Sequence, residues 1–185
     1  MSGFDQRAFA ANILGTLAQT IVDRQTIAME AVAGRAGHAP AALVTLRFYP
    51  DRPIASLARR LRISHPGAVQ LVDRLAADGL VERVPAPDGR TRHLLLTEEG
   101  ARLATAVLAQ RTRVLRTALS ALSDDDCRVL VGTVEAMLEA LTDDLLASEY
   151  MCRLCDELSC PDDRCPVERA EPAPQDRRGV GYGVR

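Results

Sequence analysis

The sequence predicts a mainly α chain with a small β-wing, a winged helix-turn-helix joined to a helical dimerisation domain. Three observations carry this. Two short amphipathic runs are broken apart at Arg62-Ile63. Two extended runs then flank a proline-stiffened Asp-Gly turn at residues 85–90. Longer helical stretches with apolar stripes lie at either end.

The elements follow in order. Residues 4 to about 32 carry Phe9, Ile13, Leu14, Leu17 and Ile21 at helical spacing, a stripe that suits either an internal core or a seam between copies. A breaker-rich connection, 34–40, leads to a short helix over 41–48 that Tyr49-Pro50-Asp51 ends. Ile54, Leu57, Ala58 and Leu61 put a helix at 55–61. Ser64 is a good N-cap for the next helix, which sets Ala68, Leu71, Val72 and Leu75 on one face and stops at Asp78-Gly79. Residues 80–84 and 93–96 read as the paired strands of the wing. Thr97 caps a helix from Glu98 to Leu122, with Glu98 and Glu99 at its positive end. Ser123 before Asp124, Asp125 and Asp126 starts a last helix that continues to about Tyr150, with Leu130, Val134, Met137, Leu138, Leu141, Leu145 and Leu146 on one face. Apolar stripes this long would be an association liability on a monomer, so they point to a dimer.

Composition sets the outer bounds. The chain has 185 residues, enough for one domain and a tail, and 47% are hydrophobic but only 3% aromatic. The core must therefore be aliphatic and alanine-rich. All 23 basic residues are arginine, the better fork for phosphate. No charged leader precedes an apolar stretch and no run reaches membrane-spanning length, so a cytoplasmic protein with no membrane partner is expected.

Charge places the partner. The whole chain is −2, yet residues 59–92 hold seven arginines (Arg59, Arg60, Arg62, Arg74, Arg83, Arg90, Arg92) against four acids. A helix fits the major groove of duplex DNA and reads base edges with its N-terminal residues. Here those are Ser64, His65, Pro66, Gly67, Ala68 and Gln70, with Gly67 and Ala68 small enough for close approach and Arg74 further along. Arg90 and Arg92 stand at the wing, where a guanidinium can enter the minor groove. For Arg59 and Arg60 a solvated helix face is as good a reading as phosphate contact.

The run from Ser64 to Gly79, then Leu80-Val81-Glu82-Arg83 and Asp88-Gly89-Arg90-Thr91-Arg92-His93-Leu94-Leu95-Leu96-Thr97-Glu98-Glu99-Gly100, resembles the MarR family of bacterial transcriptional regulators. The resemblance implies a symmetric homodimer, a winged unit on each protomer and dimerisation by the terminal helices. It also implies that Asp88 and Arg90 support the wing and its minor-groove contact. On this layout residues 1–150 form the MarR-like domain, with the winged helix at 39–100 and dimerisation helices at 4–33 and 98–150. A cysteine-rich metal-binding segment follows at 151–168, then a disordered tail at 169–185.

That segment holds Cys152, Cys155, Cys160 and Cys165, spaced C-x2-C-x4-C-x4-C. Reduced thiols clustered this closely argue for metal before disulfide. Four thiolates make a closed tetrahedral site for structural zinc, which stands narrowly ahead of an iron–sulfur cluster, with a reduced or disulfide-prone tail that holds no cofactor as the third reading. The spacing is similar to that of a zinc knuckle, with Cys160 in the histidine position and Ser159 where the knuckle has glycine. Cys127 reads as a small core filler, and His38 and His93 as surface or loop residues.

No catalytic set appears: there is no phosphate-binding glycine motif, no nucleophile with a paired base, and no open histidine metal site. The function expected is a homodimeric, sequence-specific regulator acting as a repressor on a pseudo-palindromic operator in double-stranded DNA. A small-molecule effector or a metal or redox signal would modulate it. Two other classes stand beside it: a redox-sensing or electron-carrying iron–sulfur protein, and a winged-helix protein-interaction module.

Overall fold

The computed structural model describes residues 4–86, 91–142, 145–160 and 164–170. Its elements run α1 (Gln6–Ala33), α2 (Ala39–Phe48), β1 (Arg52–Pro53), α3 (Ile54–Leu61), α4 (His65–Ala77), β2 (Val81–Pro85), β3 (Arg92–Leu96), α5 (Glu98–Leu119), α6 (Asp124–Ala140), α7 (Leu145–Met151), a 3-10 turn (Cys152–Leu154) and α8 (Pro166–Ala170). Among the described residues no helix is long and apolar enough to cross a membrane.

The local signals act as their chemistry requires. Arg62 takes a left-handed conformation (φ 51°) that closes α3, its N–H bonding back to Ala58 and Arg59 carbonyls. Ser64 Oγ accepts from Gly67 N at 3.2 Å and opens α4. Gly79, at φ 70°, turns the chain from α4 into β2, a conformation that costs glycine little. Thr97 Oγ1 accepts from Gly100 N and donates to Gly79 O, so one hydroxyl starts α5 and holds the end of α4. Ser123 and Asp126 form a reciprocal capping box at the head of α6.

The wing has three strands, in the order β1-β3-β2, all antiparallel. The added strand is Arg52–Pro53, paired with Leu94 and His93. Two residues, one of them proline, give no alternation to read, so only the pairing reveals it.

One core lies under the winged unit. Leu43 and Leu46 of α2, Leu57 and Leu61 of α3, Leu71, Val72 and Leu75 of α4, Leu94 of β3 and Leu103 of α5 meet there. A second cluster joins Met29 and Ala33 of α1 to Val44, Val107 and Leu108. The ends of the long helices leave this body. Phe9, Ile13, Leu14 and Leu17 on α1 are exposed, and no residue of α6 is buried within the chain.

Two sequence expectations are corrected here. The last long helix does not run to Tyr150; it stops at Ala140, Thr142 lies outside helix, and α7 starts at Leu145. Thr142 Oγ1 bonds back to Leu138 O, so a side chain competes for the carbonyls that the helix end leaves unpaired. The side chains of Leu145 and Leu146 lie outside the described set. Of the tail expected to be disordered, 169–185, Arg169 and Ala170 belong instead to α8, and the rest, 171–185, lies outside the described residues.

Candidate nucleic-acid interface and cysteine segment

Helix α4 has two faces that its spacing separates. Ala68, Leu71, Val72 and Leu75 are buried against the core, which fixes the helix axis. Ser64, His65, Pro66, Gln70 and Arg74 are exposed, with Gly67 half-buried between them. Ala68 is the exception among the expected DNA-facing residues: at 0% exposure it belongs to the core. Its small size serves packing within the chain. A Cβ on Gly67 would meet Ser64 Oγ at 3.1 Å, so glycine there also lets the cap close tightly.

Arginine partners divide the basic window. Arg83 pairs with Asp73 at 2.7 Å, joining β2 to the exposed side of α4. Arg35 pairs with Asp78 at 2.6 Å, and this guanidinium holds the Asp78 carboxyl below its ordinary value. Arg92 opens β3 opposite Pro85 and is exposed. Asp88 and Arg90, the wing residues on which the resemblance leans most, lie outside the described residues. His93 is part of the wing's base, with Nδ1 3.0 Å from Asp51 Oδ1.

Arg59 is exposed and Arg60 half-buried, and both have an acidic partner within the chain. Glu149 on α7, buried to 9% exposure, takes Arg59 Nε at 2.6 Å and Arg59 Nη2 at 3.1 Å. Arg60 Nη2 lies 3.7 Å from the same carboxylate, and its guanidinium stacks 3.4 Å above the Tyr49 ring. Both arginines bind the chain's own C-terminal segment. No local signal identifies Glu149, because its partners are 90 residues away.

The cysteine segment is packed against the winged unit. Leu154 inserts against both core clusters, and Thr45 Oγ1 donates to Arg153 O at 3.4 Å. The Tyr150 ring sits between the guanidinium groups of Arg62, 4.6 Å away, and Arg153, 3.7 Å away. The Tyr49 hydroxyl bonds Glu157; burial first, and that carboxylate second, push it up to about 12.

All four cysteines are free thiols, Cys165 buried and the others half-buried. Their sulfurs are near enough to act on one another's ionisation, Cys152 on Cys155, Cys155 on Cys160 and Cys160 on Cys165. Cys155 is drawn down to about 6, chiefly by the hydrogen bond from the Cys152 thiol, and then by the Arg111 charge. Cys160 is pushed up to about 12 by burial and then by its thiolate neighbours. Cys152 is raised, because it donates to Cys155 and is itself buried. Among the described residues no three His, Cys, Asp or Glu side chains stand as a ready-made metal cage. Cys127, on α6, is only half-buried, on a helix with no buried residue, so it fills no core within the chain.

Comparison with known proteins gives the following. Residues 34–90 match the profile described as MarR family. No curated protein matches the chain. Among solved structures, a MarR family protein from Bacillus stearothermophilus is similar at 22% identity and a TM-score of 0.66, covering 76% of this chain and 100% of that one. The YusO protein from Bacillus subtilis is 22% identical with a TM-score of 0.64, covering 74% and 99%. A mutant MepR from Staphylococcus aureus, in a structure bound to an oligodeoxyribonucleotide, is 17% identical with a TM-score of 0.57, covering 75% and 99%. At these identities the likeness is one of fold.

Proposed function

Because residues 34–90 carry a MarR-family domain, we propose that this chain is a homodimeric, sequence-specific DNA-binding repressor. The observation that carries the reading is α4 itself. Its inner face is locked into the core while Ser64, His65, Pro66 and Gln70 remain outside on the N-terminal part of a helix sized for the major groove, with Arg74 exposed in its last turn. Arg92, at the root of the wing, extends the same basic surface towards the minor groove. The MepR structure with a bound oligodeoxyribonucleotide supports DNA as the partner of this fold.

The exposed apolar residues of α1 and α6 support the dimer, since Val129 at 71% and Val131 at 53% exposure have no partner surface within the chain's own core. Two protomers would present two α4 helices to half-sites about one helical turn apart. A small molecule or a change at the cysteine segment would act by favouring a spacing that no longer matches the operator.

The test is duplex binding by fluorescence anisotropy across a salt series. About eight phosphate contacts give a log–log slope of roughly −7. Arg92→Ala should lower affinity for all duplexes alike and flatten that slope by about one, whereas Gln70→Ala should lower affinity for the operator over other sequences. Binding with no salt dependence would refute the reading and favour a protein-interaction module.

A further inference from the structure

The cysteine segment is held at both of its ends, and by different parts of the molecule. Its front end belongs to the winged unit. Helix α7 lies on α3 through Glu149 and the Arg59–Arg60 pair, and the 3-10 turn lies on α2 through Leu154 and the Thr45 to Arg153 hydrogen bond. The Cys155 amide bonds Cys152 O at 2.8 Å, which holds the first two thiols one turn apart. The rear end belongs to α6. Helix α8 packs on that helix, Val167 is buried, and Arg169 reaches Glu139 at 2.5 Å and Glu135 at 3.9 Å. Cys165 O accepts the Arg169 amide, so the fourth cysteine is tied directly to this anchor. Between the two anchors stand four free thiols, the first two set one turn apart and the fourth tied to α8.

We propose that Cys152, Cys155, Cys160 and Cys165 together bind one thiophilic metal centre, zinc in the first instance, and that this centre staples α6 to α2 and α3. The donor set is four sulfurs with no histidine, carboxylate or water among them, which is the chemistry of a closed structural site. The four sulfurs do not stand as a ready-made cage, so binding must draw them together into four metal–sulfur bonds. The thiol protons leave to solvent, the sulfurs remain as thiolates, and no electron is transferred. Four thiolates around a dication leave a net charge of −2, and the Arg111 charge acting on Cys155 offsets part of it.

The mechanical consequence follows from the anchors. With the metal in place, the two ends of the segment are one rigid body, and α6 can shift relative to α3 only by breaking metal–sulfur bonds or giving up the contacts at an anchor. Helix α3 packs on α4, so the stapled geometry fixes where α4 stands relative to the dimerisation helices. Without the metal, that relation depends on the non-covalent contacts at the two anchors. Metal occupancy therefore sets the spacing of the two α4 helices. Only this regulatory clause rests on the DNA-binding reading above.

The experiment uses the full chain purified without oxygen. Metal, iron and sulfide are measured directly; the metal-free protein is then titrated with cobalt(II), whose ligand-field bands report a tetrahedral thiolate site, and with zinc in competition. One zinc per chain and one cobalt per chain are expected. Iron with sulfide would support the same four-thiolate chemistry with a cluster as its occupant. Cys152→Ser, Cys160→Ser and Cys165→Ser should each weaken cobalt binding by about a hundred-fold or more, while Cys127→Ser should leave it unchanged. Cys160→Ser, at a half-buried position, keeps the test sound should the variant at the buried Cys165 fold poorly.

Amide hydrogen exchange then reads the staple without DNA. Zinc should slow exchange in α7, α8 and the facing parts of α3 and α6 together. Failure to bind metal stoichiometrically, or protection confined to the cysteine loop, overturns the proposal. Operator affinity with and without zinc should differ by at least about five-fold. Equal affinity in both states overturns the regulatory clause. If neither state binds duplex, the DNA-binding reading fails, and metal stoichiometry and hydrogen exchange still decide the site.

Discussion

Glu149 shows how one side chain can reassign several others. Its carboxylate is nearly buried and engages Arg59 through two hydrogen bonds and Arg60 at longer range, which ties both guanidinium groups to α7. Arg59 remains half-exposed, which screens its share of the interaction. Glu149→Gln should therefore lower stability by about 2 kcal/mol, less than the loss of a fully buried pair. The urea midpoint measures this, and an unchanged midpoint would mean that α7 is not docked on α3. Ala68 is the opposite case. Its size suits either close approach to DNA or a tight core, and only its burial decides between them.

At the scale of elements, the chain entering β2 is packed closely on α5. A Cβ on Gly100 would fall 2.0 Å from Leu80 O and 3.0 Å from Leu80 C, so the backbone just before the strand lies directly against the first turn of the helix. Alanine would gain about 1 kcal/mol in helix propensity but must push the two elements apart. Gly100→Ala should thus be net destabilising by roughly 2 kcal/mol or more, seen as a lowered Tm. A raised Tm would contradict this packing. The break between α6 and α7 has a comparable role. An unbroken helix to Tyr150 would carry Glu149 and the cysteines away from the body, whereas the break at Thr142 lets α7 turn back onto α3.

For the whole molecule, the decisive feature is the apolar surface that the single chain leaves uncovered. Leu17 is 50% exposed, so in an isolated chain a change there costs little, within about 0.5 kcal/mol. In a dimer seam the same change buries an unpaired carboxylate. Leu17→Glu should leave a folded monomer, detected by light scattering on a sizing column, with duplex affinity reduced together with dimer formation. A dimer that persists would move the seam elsewhere. The salt series and the metal titration address the two other whole-molecule questions, what α4 reads and what the cysteine segment holds.

Local chemistry determined most of the secondary structure from the sequence alone. The caps at Ser64, Thr97 and Ser123, the turn at Gly79 and the apolar spacing of α3, α4 and α5 depend on neighbours within a few residues, so a single sequence displays them. The C-x2-C-x4-C-x4-C run was equally visible, because its donors are near one another along the chain. Tertiary structure alone decided the rest. The pairing of Arg52–Pro53 with β3, the burial of Ala68 and the capture of Arg59 and Arg60 by Glu149 each join segments tens of residues apart. The anchoring of the cysteine segment to α2 and α3 at one end and α6 at the other is of the same kind. Such contacts leave no period or spacing in the sequence, because their geometry exists only once the chain has folded back on itself.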